Sequence, residues 1–370
     1  MTFNPHPNGG GLVEDTAYVE STVSVSKYAV VRDNARVLGN ASIDNFAMVY
    51  GNAHVSGIAW IHGNARVSGN AHVSESAQVY GAAHVSGDAS VSGNAEIFGE
   101  ATVSESGFVT GKAKIFGMAC VEGDVTDDAE VFGKAYISGC AKVSGHGTVE
   151  GNARLLESAK VTGGTVSGDA VVTDNAVING GHVYDDAVVS GNGSVGGRAH
   201  VYNEAHIGGT AEIWGNAKLY QEASITDHVQ IFGEAHAFGN SRICGNVKVG
   251  GSARVACNAH PDEGEEHCKG HIYGSAQVFG NAIVSGDAEI YDNAKIFGDS
   301  VVSGHAKVFG HAQVSGDSQV FGRAHVYDYA QVYGDARIKG EARISDEMSV
   351  YNQSLYNRSG FERLCNVRIL

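Results

Sequence analysis

The segment 260–271 concentrates residue types that bind metal ions or move protons. It contains His260, His267, Cys268 and His271 among acidic residues. Thiolate and imidazole groups suit Zn²⁺, and a structural zinc site uses four such ligands in a tetrahedron. The spacing His-x6-His-Cys-x2-His matches no known zinc-finger pattern. Two interpretations therefore stay open: a zinc site, or a solvated acidic loop whose histidines are incidental.

This segment interrupts a six-residue repeat that occupies almost the whole chain. Between Ile61 and Met118 a Val or Ile recurs at six-residue intervals, followed by a small polar pair and then Ala. Ala and Val two positions apart point to the same side of a strand because side chains alternate. Gly, Asn and Asp tolerate the positive φ that a sharp turn requires. Each repeat is predicted to form one short strand with a buried Ala–Val pair, followed by a turn.

Three repeats are predicted to close one triangular coil of 18 residues. Outward-facing residues recur at that spacing, as Tyr80, Phe98 and Phe116 do. Successive coils stack at the strand spacing of about 4.8 Å, so these rings are expected to lie above one another. Hexapeptide repeats are typical of parallel β-helices. The predicted fold class is all-β, a single-stranded parallel β-helix solenoid of about 19 coils.

The repeat also sets the predicted domain boundaries. Residues 1–12 precede it and are expected to cap the first coil, and residues 13–351 form the β-helix. Residues 261–271 form a loop inserted at one corner, the usual place for insertions in solenoids. Residues 352–370 lose the pattern and are expected to cap the last coil, whose sheet edge would otherwise be exposed. A dimerising tail is the alternative for these last residues.

Composition and charge limit the binding partners and the cellular compartment that we expect for this chain. The net charge of −16 argues against duplex DNA or an anionic membrane as a partner. No apolar run approaches the roughly 20 residues of a membrane span, and the N-terminus lacks the features of a secretory signal. The six cysteines show no CxxC spacing. We expect free thiols in the cytoplasm, no nucleic acid and no membrane, and an exported or virion-borne protein stays open.

Outward-facing aromatic residues form three predicted columns. They are Tyr80, Phe98 and Phe116; Tyr184, Tyr202 and Tyr220; and Tyr273, Tyr291, Phe309 and Tyr327. Such columns can stabilise the coils by stacking, and they also suit protein association or sugar stacking. We expect a homo-oligomer that associates through these columns, with an unidentified protein or a glycan as a further partner.

The repeat resembles the left-handed β-helix, or hexapeptide-repeat, superfamily over nearly the whole chain, and most of all its long, regular members labelled putative acetyltransferases. The resemblance implies left-handed coils and a trimer. It also implies an acyltransferase that binds acyl-CoA and has a catalytic histidine near a subunit interface, beside a protruding loop. His260, His267 or His271 would then be the general base. The chain lacks the helical domains that those enzymes usually carry.

Three functions follow from these observations. The first is a non-enzymatic, rigid structural or binding scaffold that self-associates through the aromatic columns, because most coils carry no residue that chemistry would require. The second is a hexapeptide-repeat acyltransferase with its active site near loop 260–271 at a subunit interface. The third is a carbohydrate-binding surface along the columns.

Overall fold

The fold is seen in a computed structural model that describes residues 2–257 and 271–357. All regular elements in these ranges are β-strands. The chain divides into two compact units, Met1–Gly180 and Gly181–Leu370, called unit 1 and unit 2. Each is a parallel β-solenoid with three strands to a turn, and the described turns number about 18. The all-β solenoid prediction is confirmed, whereas the handedness stays a prediction.

Unit 1 has three faces, named 1A, 1B and 1C in chain order. Face 1A contains Leu12–Glu14, Val30–Val31, Met48–Val49, Arg66–Val67, His84–Val85, Thr102–Val103, Cys120–Val121, Tyr136–Ile137, Arg154–Leu155 and Val171–Val172. Face 1B contains Tyr18–Val19, Arg36–Val37, His54–Val55, His72–Val73, Ser90–Val91, Phe108–Val109, Asp124–Val125 and Lys142–Val143. Face 1C contains Ser24–Val25, Ser42–Ile43, Trp60–Ile61, Gln78–Val79, Glu96–Ile97, Lys114–Ile115, Glu130–Val131 and Thr148–Val149. The longer strand Lys160–Val166 pairs on both 1B and 1C.

Unit 2 also has three faces, named 2A, 2B and 2C in the same way. Face 2A contains Val188–Val189, His206–Ile207, Ser224–Ile225, Arg242–Ile243, His271–Ile272, Glu289–Ile290, Lys307–Val308, His325–Val326 and Arg343–Ile344. Face 2B contains Glu212–Ile213, Gln230–Ile231, Lys248–Val249, Gln277–Val278, Lys295–Ile296, Gln313–Val314, Gln331–Tyr333 and Ser349–Tyr351. Face 2C contains Lys218–Leu219, His236–Gly239, Arg254–Cys257, Ile283–Ser285, Val301–Val302, Gln319–Val320, Arg337–Gly340 and Ser354–Asn357. Ser194–Val201 pairs on both 2B and 2C, and Val177–Val183 contains the division between the units.

The core of each unit consists of the inward Ala and Val or Ile positions of the repeat. Ala53 and Val55 in unit 1, and Ala217 and Leu219 in unit 2, are completely buried, like most such residues. Between each inward pair one residue points outward, as alternation in a strand requires. Burying a branched side chain stabilises the fold by about 1.5 kcal/mol or more before entropy is subtracted. The repeat therefore builds the core directly.

The turns explain why the repeat contains glycine and acidic or amide residues. Gly215 has a φ of +75°, and a Cβ there would lie 2.9 Å from the backbone nitrogen of Gly233 on the next coil. Where a described residue other than glycine has positive φ, it is Asp, Asn, Glu or Gln. The Glu75 carboxylate, for example, accepts a hydrogen bond of 2.8 Å from the backbone N–H of Gly93, one coil later. Many acidic residues therefore have a structural role at the corners.

The register between neighbouring turns departs from 18 residues in both units. Cys120 pairs with Tyr136, two positions short of a full 18-residue coil. Arg242 pairs with His271, which is 29 positions away, so eleven extra residues are inserted. The predicted loop 261–271 falls in this interval and stays a prediction, because residues 258–270 lie outside the described ranges.

Both ends of the solenoid extend beyond the predicted boundaries. Phe3–Pro5 pairs antiparallel with Leu12–Glu14 and covers the edge of the first coil, as expected for a cap. At the other end Ser354–Asn357 still pairs in parallel with Arg337–Gly340, so the coils continue past residue 351. The predicted cap or dimerising tail beyond residue 357 lies outside the described residues.

Candidate functional site

Most of the predicted metal ligands and catalytic bases fall outside the described residues. This applies to His260, His267 and Cys268, and the structure describes only the backbone of His271, in the strand His271–Ile272. Within residues 2–257 and 271–357, no group of three or more His, Cys, Asp or Glu side chains is placed to hold a metal ion. The zinc site and the general base at 260–271 therefore stay predictions.

The predicted aromatic columns are stacked ladders of parallel rings. They are column 1C (His62, Tyr80, Phe98, Phe116 and Phe132), column 2C (Tyr184, Tyr202, Tyr220 and Phe238) and column 2A (Tyr273, Tyr291, Phe309 and Tyr327). Within each, neighbouring ring centroids are 4.6–5.1 Å apart and the planes are within 9° of parallel. The stacking prediction is therefore confirmed for all three columns.

This stacking determines which part of each ring a partner can reach. In column 2C the ring of Tyr202 lies between those of Tyr184 and Tyr220, so both of its faces are covered. The rings are half-buried, and only their edges and hydroxyl groups face the solvent. A sugar that stacks on an aromatic side chain needs a free ring face. The columns therefore offer edges for packing and hydroxyl groups for hydrogen bonds, with free faces only at their ends.

A second ladder of outward side chains runs beside each column, and on face 2A its charges are partly paired. Glu289, Lys307, His325 and Arg343 occupy consecutive turns there. The Lys307 ammonium donates a hydrogen bond of 2.9 Å to the Glu289 carboxylate. On face 1C the charges alternate, with Lys114 between two glutamates. In these two ladders, much of the charge on each side chain is compensated by opposite charges on neighbouring turns.

The corresponding ladder on face 2C is entirely basic. We call His200, Lys218, His236 and Arg254 the basic ladder, because they occupy consecutive turns of that face. Among the described residues, neither Lys218 nor Arg254 has a carboxylate within ion-pair distance, 4.0 Å. Lys218 and Arg254 are exposed. The chain therefore presents two permanent cations and two histidines without an acidic partner in contact.

A shallow groove lies along the basic ladder. Its volume is about 330 Å³, and it is lined by Asn216, Lys218, Glu234, His236, Ser252 and Arg254. Asn216, Glu234 and Ser252 form the corner column next to the ladder. Their amide, carboxylate and hydroxyl groups add donors and acceptors beside the cations. The groove therefore combines the two cations with the neutral amide and hydroxyl groups of Asn216 and Ser252 and with one carboxylate, that of Glu234.

The pKa values of the two ladder histidines are lowered by their surroundings. Burial lowers the pKa of His236, as do the charges of Lys218 and Arg254, and the nearby Glu234 only partly opposes them. Burial lowers the pKa of His200 too, with smaller contributions from His182 and Lys218. At neutral pH both imidazoles are therefore mostly uncharged, and they acquire charge only below their ordinary pKa of 6.5.

The tyrosines beside the ladder stay protonated at neutral pH. Burial raises the pKa of Tyr202 and of Tyr220, although Arg254 partly offsets the effect at Tyr220. The rings of Tyr220 and His236 meet edge to face, with centroids 6.2 Å apart. The hydroxyl groups can therefore donate hydrogen bonds to a ligand along the ladder. The site is suited to holding an anion rather than to transferring a proton.

Sequence reasoning identified the tyrosines of this site and missed its cations. Positions 218, 236 and 254 follow the same 18-residue spacing that revealed the columns, so the signal was present. What distinguishes the ladder is that, within residues 2–257 and 271–357, no acidic side chain forms an ion pair with its cations. The absence of such an ion pair depends on which side chains occupy the corner next to the face.

Comparison with known families supports the fold. The family model described as YdcK Beta solenoid repeat matches residues 65–81 in unit 1 and 276–289 in unit 2. No curated protein matches the chain. In the part of the chain that the structure describes, no helix is long and apolar enough to cross a membrane. The chain is thus similar, over two short stretches, to a β-solenoid repeat family.

Proposed function

We propose that this chain is a non-enzymatic scaffold that self-associates through one of its aromatic columns, column 1C. The observation that carries the proposal is that outward side chains are matched from turn to turn. In unit 1 the amide of Asn52 donates to that of Asn70 at 3.1 Å, and Asn70 donates to the Asp88 carboxylate at 2.8 Å. Together with the stacked rings, such ladders fix the surface along the coil axis. This arrangement suits a rigid support.

Column 1C is the surface best suited to a second copy of the chain. It has the largest number of stacked rings, and Phe98, Phe116 and Phe132 make one end of it wholly apolar. Trp60 stacks on His62 at the other end and is 41% exposed. The charges beside the column alternate in sign, so burying this strip leaves no run of like charges. In a symmetric dimer the same strip would be used by both copies.

The test replaces two rings of column 1C. Phe98→Ser together with Phe116→Ser should lower the solution mass measured by light scattering, because the apolar strip is interrupted. Tyr291→Ser with Phe309→Ser removes two stacked rings from column 2A and is the matched control. Circular dichroism would check that both variants keep their strands. A mass that falls equally in the control, or not at all in the column 1C variant, contradicts association through column 1C.

A hexapeptide-repeat acyltransferase is the second candidate function, and the eleven-residue insertion favours it. A trimer would place His260, His267 or His271 at a subunit interface, where acyl-CoA would bind, and Zn²⁺ is the metal that the segment's ligands suit. The test is the metal content of the purified protein and its titration with acetyl-CoA. A bound metal, or acetyl-CoA binding that is lost in His267→Ala with His271→Ala, supports this candidate. A protein without either result contradicts it.

A further inference from the structure

The basic ladder of face 2C is unexpected in a chain with 41 acidic and 25 basic residues. Lys218 and Arg254 lie one turn from His236 on either side, and both charges disfavour its protonation. Like charges on neighbouring strands cost stability, whereas opposite charges stabilise. On face 2A the chain relieves this cost with Glu289, but the equivalent position on face 2C is His200. Among the described residues, the ladder positions of face 2C thus supply no carboxylate to compensate the two cations.

We propose that the basic ladder binds a linear acidic polysaccharide that lies along the coil axis of face 2C. Lys218 and Arg254 would pair with its carboxylate or sulfate groups. The hydroxyl groups of Tyr202 and Tyr220, with Asn216 and Ser252, would bind the sugar hydroxyls. This inference does not depend on self-association through column 1C, which lies in unit 1.

The spacing of the ladder fits a glycan better than an extended peptide. Successive side chains on the face lie one turn apart, about 4.8 Å. The two permanent cations, Lys218 and Arg254, lie two turns apart, about 9.6 Å. In an extended polyuronate neighbouring sugars direct their carboxylates to opposite sides, so the carboxylates on one side recur at every second sugar and come close to this spacing. Side chains on one side of an extended peptide repeat at about 6.8 Å, which falls out of register.

The ring geometry and the charge argue against a nucleic acid. Single-stranded nucleic acids bind by stacking bases on free aromatic faces. In column 2C the faces of Tyr202 and Tyr220 are covered by neighbouring rings. A duplex would need a broad positive surface, and the net charge of −16 opposes one. A narrow strip that combines cations with hydroxyl groups fits a single linear chain of acidic sugars.

The histidines make this binding depend on pH. His236 faces Lys218, Arg254, Glu234 and Tyr220, and its pKa lies below 6.5 mainly because of burial and then the two cations. A bound anion would raise that pKa by compensating the positive field. Protonation therefore adds positive charge to the ladder as the pH falls below about 6.5, while the carboxylates of a uronate stay ionised down to about pH 4.

The experiment is calorimetric titration of the full chain with oligogalacturonate at low salt. The same oligosaccharide with methyl-esterified carboxylates is the neutral control ligand. We expect the acidic form to bind more tightly, and Lys218→Gln with Arg254→Gln to weaken its binding by at least about tenfold, because two charge-assisted hydrogen bonds are lost. Lys307→Gln with Arg343→Gln removes the same residue types from face 2A and should change the affinity less than about twofold.

Two further measurements separate the roles within the site. Tyr202→Phe with Tyr220→Phe keeps the stack and removes the hydroxyl groups, so it should weaken binding at every pH. His200→Gln with His236→Gln should abolish the tighter binding expected on going from about pH 7.5 to about pH 5.5, because both titrating groups of the ladder are removed.

Three results would overturn the proposal. The first is an absence of oligogalacturonate binding by the unaltered chain, and the second is an equal loss in the face 2A control variant. The third is equally tight binding of oligothymidylate or polyglutamate, because these polymers carry negative charge without the sugar chemistry. Circular dichroism of each variant would confirm that its strands are retained.

Discussion

The ladders of faces 2A and 2C in unit 2 differ at one of their four positions, although the corner residues beside them also differ. Each has a four-membered aromatic column, and beside it Lys, His and Arg occupy three consecutive turns. These are Lys307, His325 and Arg343 on face 2A and Lys218, His236 and Arg254 on face 2C. On face 2A the turn before the lysine carries Glu289, whereas on face 2C it carries His200.

That single position decides where the charge of the lysine is compensated. Lys307 is bound to Glu289 at 2.9 Å, and Glu289 also opposes the lowering of the pKa of His325. Lys218 has no such partner among the described residues, and it lowers the pKa of both His200 and His236. The repeat thus provides the same scaffold twice and leaves one ladder open to a ligand. Substitutions in the columns and at the corners test the shared scaffold, and substitutions of the two lysines test the difference in charge compensation.

The largest expected effect comes from interrupting either column. Tyr202→Ala on face 2C and Tyr291→Ala on face 2A each remove a ring that stacks on two others. Each should lower the free energy of unfolding in urea by about 2–3 kcal/mol, since two stacked pairs and the ring's burial are lost. The Tyr→Phe variants should stay close to the unaltered chain. Clearly unequal costs on the two faces would show that the scaffolds differ.

A smaller effect is expected at the corners that lead into the two ladders. Gly215 and Gly304 both have positive φ, and a Cβ would approach the next coil to 2.9 Å at Gly215 and 3.1 Å at Gly304. Gly215→Ala should therefore cost about 2 kcal/mol and Gly304→Ala about 1 kcal/mol, measured by urea unfolding. The reverse order would contradict the fit of the coils described at these corners.

The smallest expected effect separates the two lysines. Lys307→Gln should lower the free energy of unfolding by about 0.5 kcal/mol, because a half-exposed ion pair is lost. Lys218→Gln should cost close to nothing at neutral pH, because it breaks no ion pair among the described residues and the neighbouring His200 and His236 are mostly uncharged. Both are measured by urea titration at low salt, and the difference should shrink in high salt. A larger cost at Lys218 would mean that the basic ladder supports the fold.

Much of the fold could be predicted from the sequence because each repeat specifies its own strand and turn. Ala and Val at spacing two, with Gly at the corner, determine the core, and the spacing of 18 identified the columns. The structural role of the acidic residues at the corners was harder to predict, because it depends on a hydrogen bond from a backbone N–H one coil away. Glu75 is an example: its partner, the N–H of Gly93, is recognisable only once the register is known.

The candidate site could be predicted only in part for a related reason. The tyrosines stood out by residue type, whereas Lys218 and Arg254 resemble the many exposed cations of any strand. Their importance comes from the absence of an acidic partner in contact within the part of the chain that the structure describes, and this depends on the side chains of three neighbouring turns and a corner. The histidines and the cysteine of segment 260–271 led to the prediction of a site there instead. That segment lies largely outside the described residues.

The most direct test of this comparison changes the one position that differs. Glu289→Gln should release Lys307 and convert the ladder of face 2A into an open one like that of face 2C. Calorimetric titration with oligogalacturonate should then show two sites per chain, where the unaltered protein has one. An unchanged stoichiometry of one site would contradict the claim that an acidic partner closes this ladder.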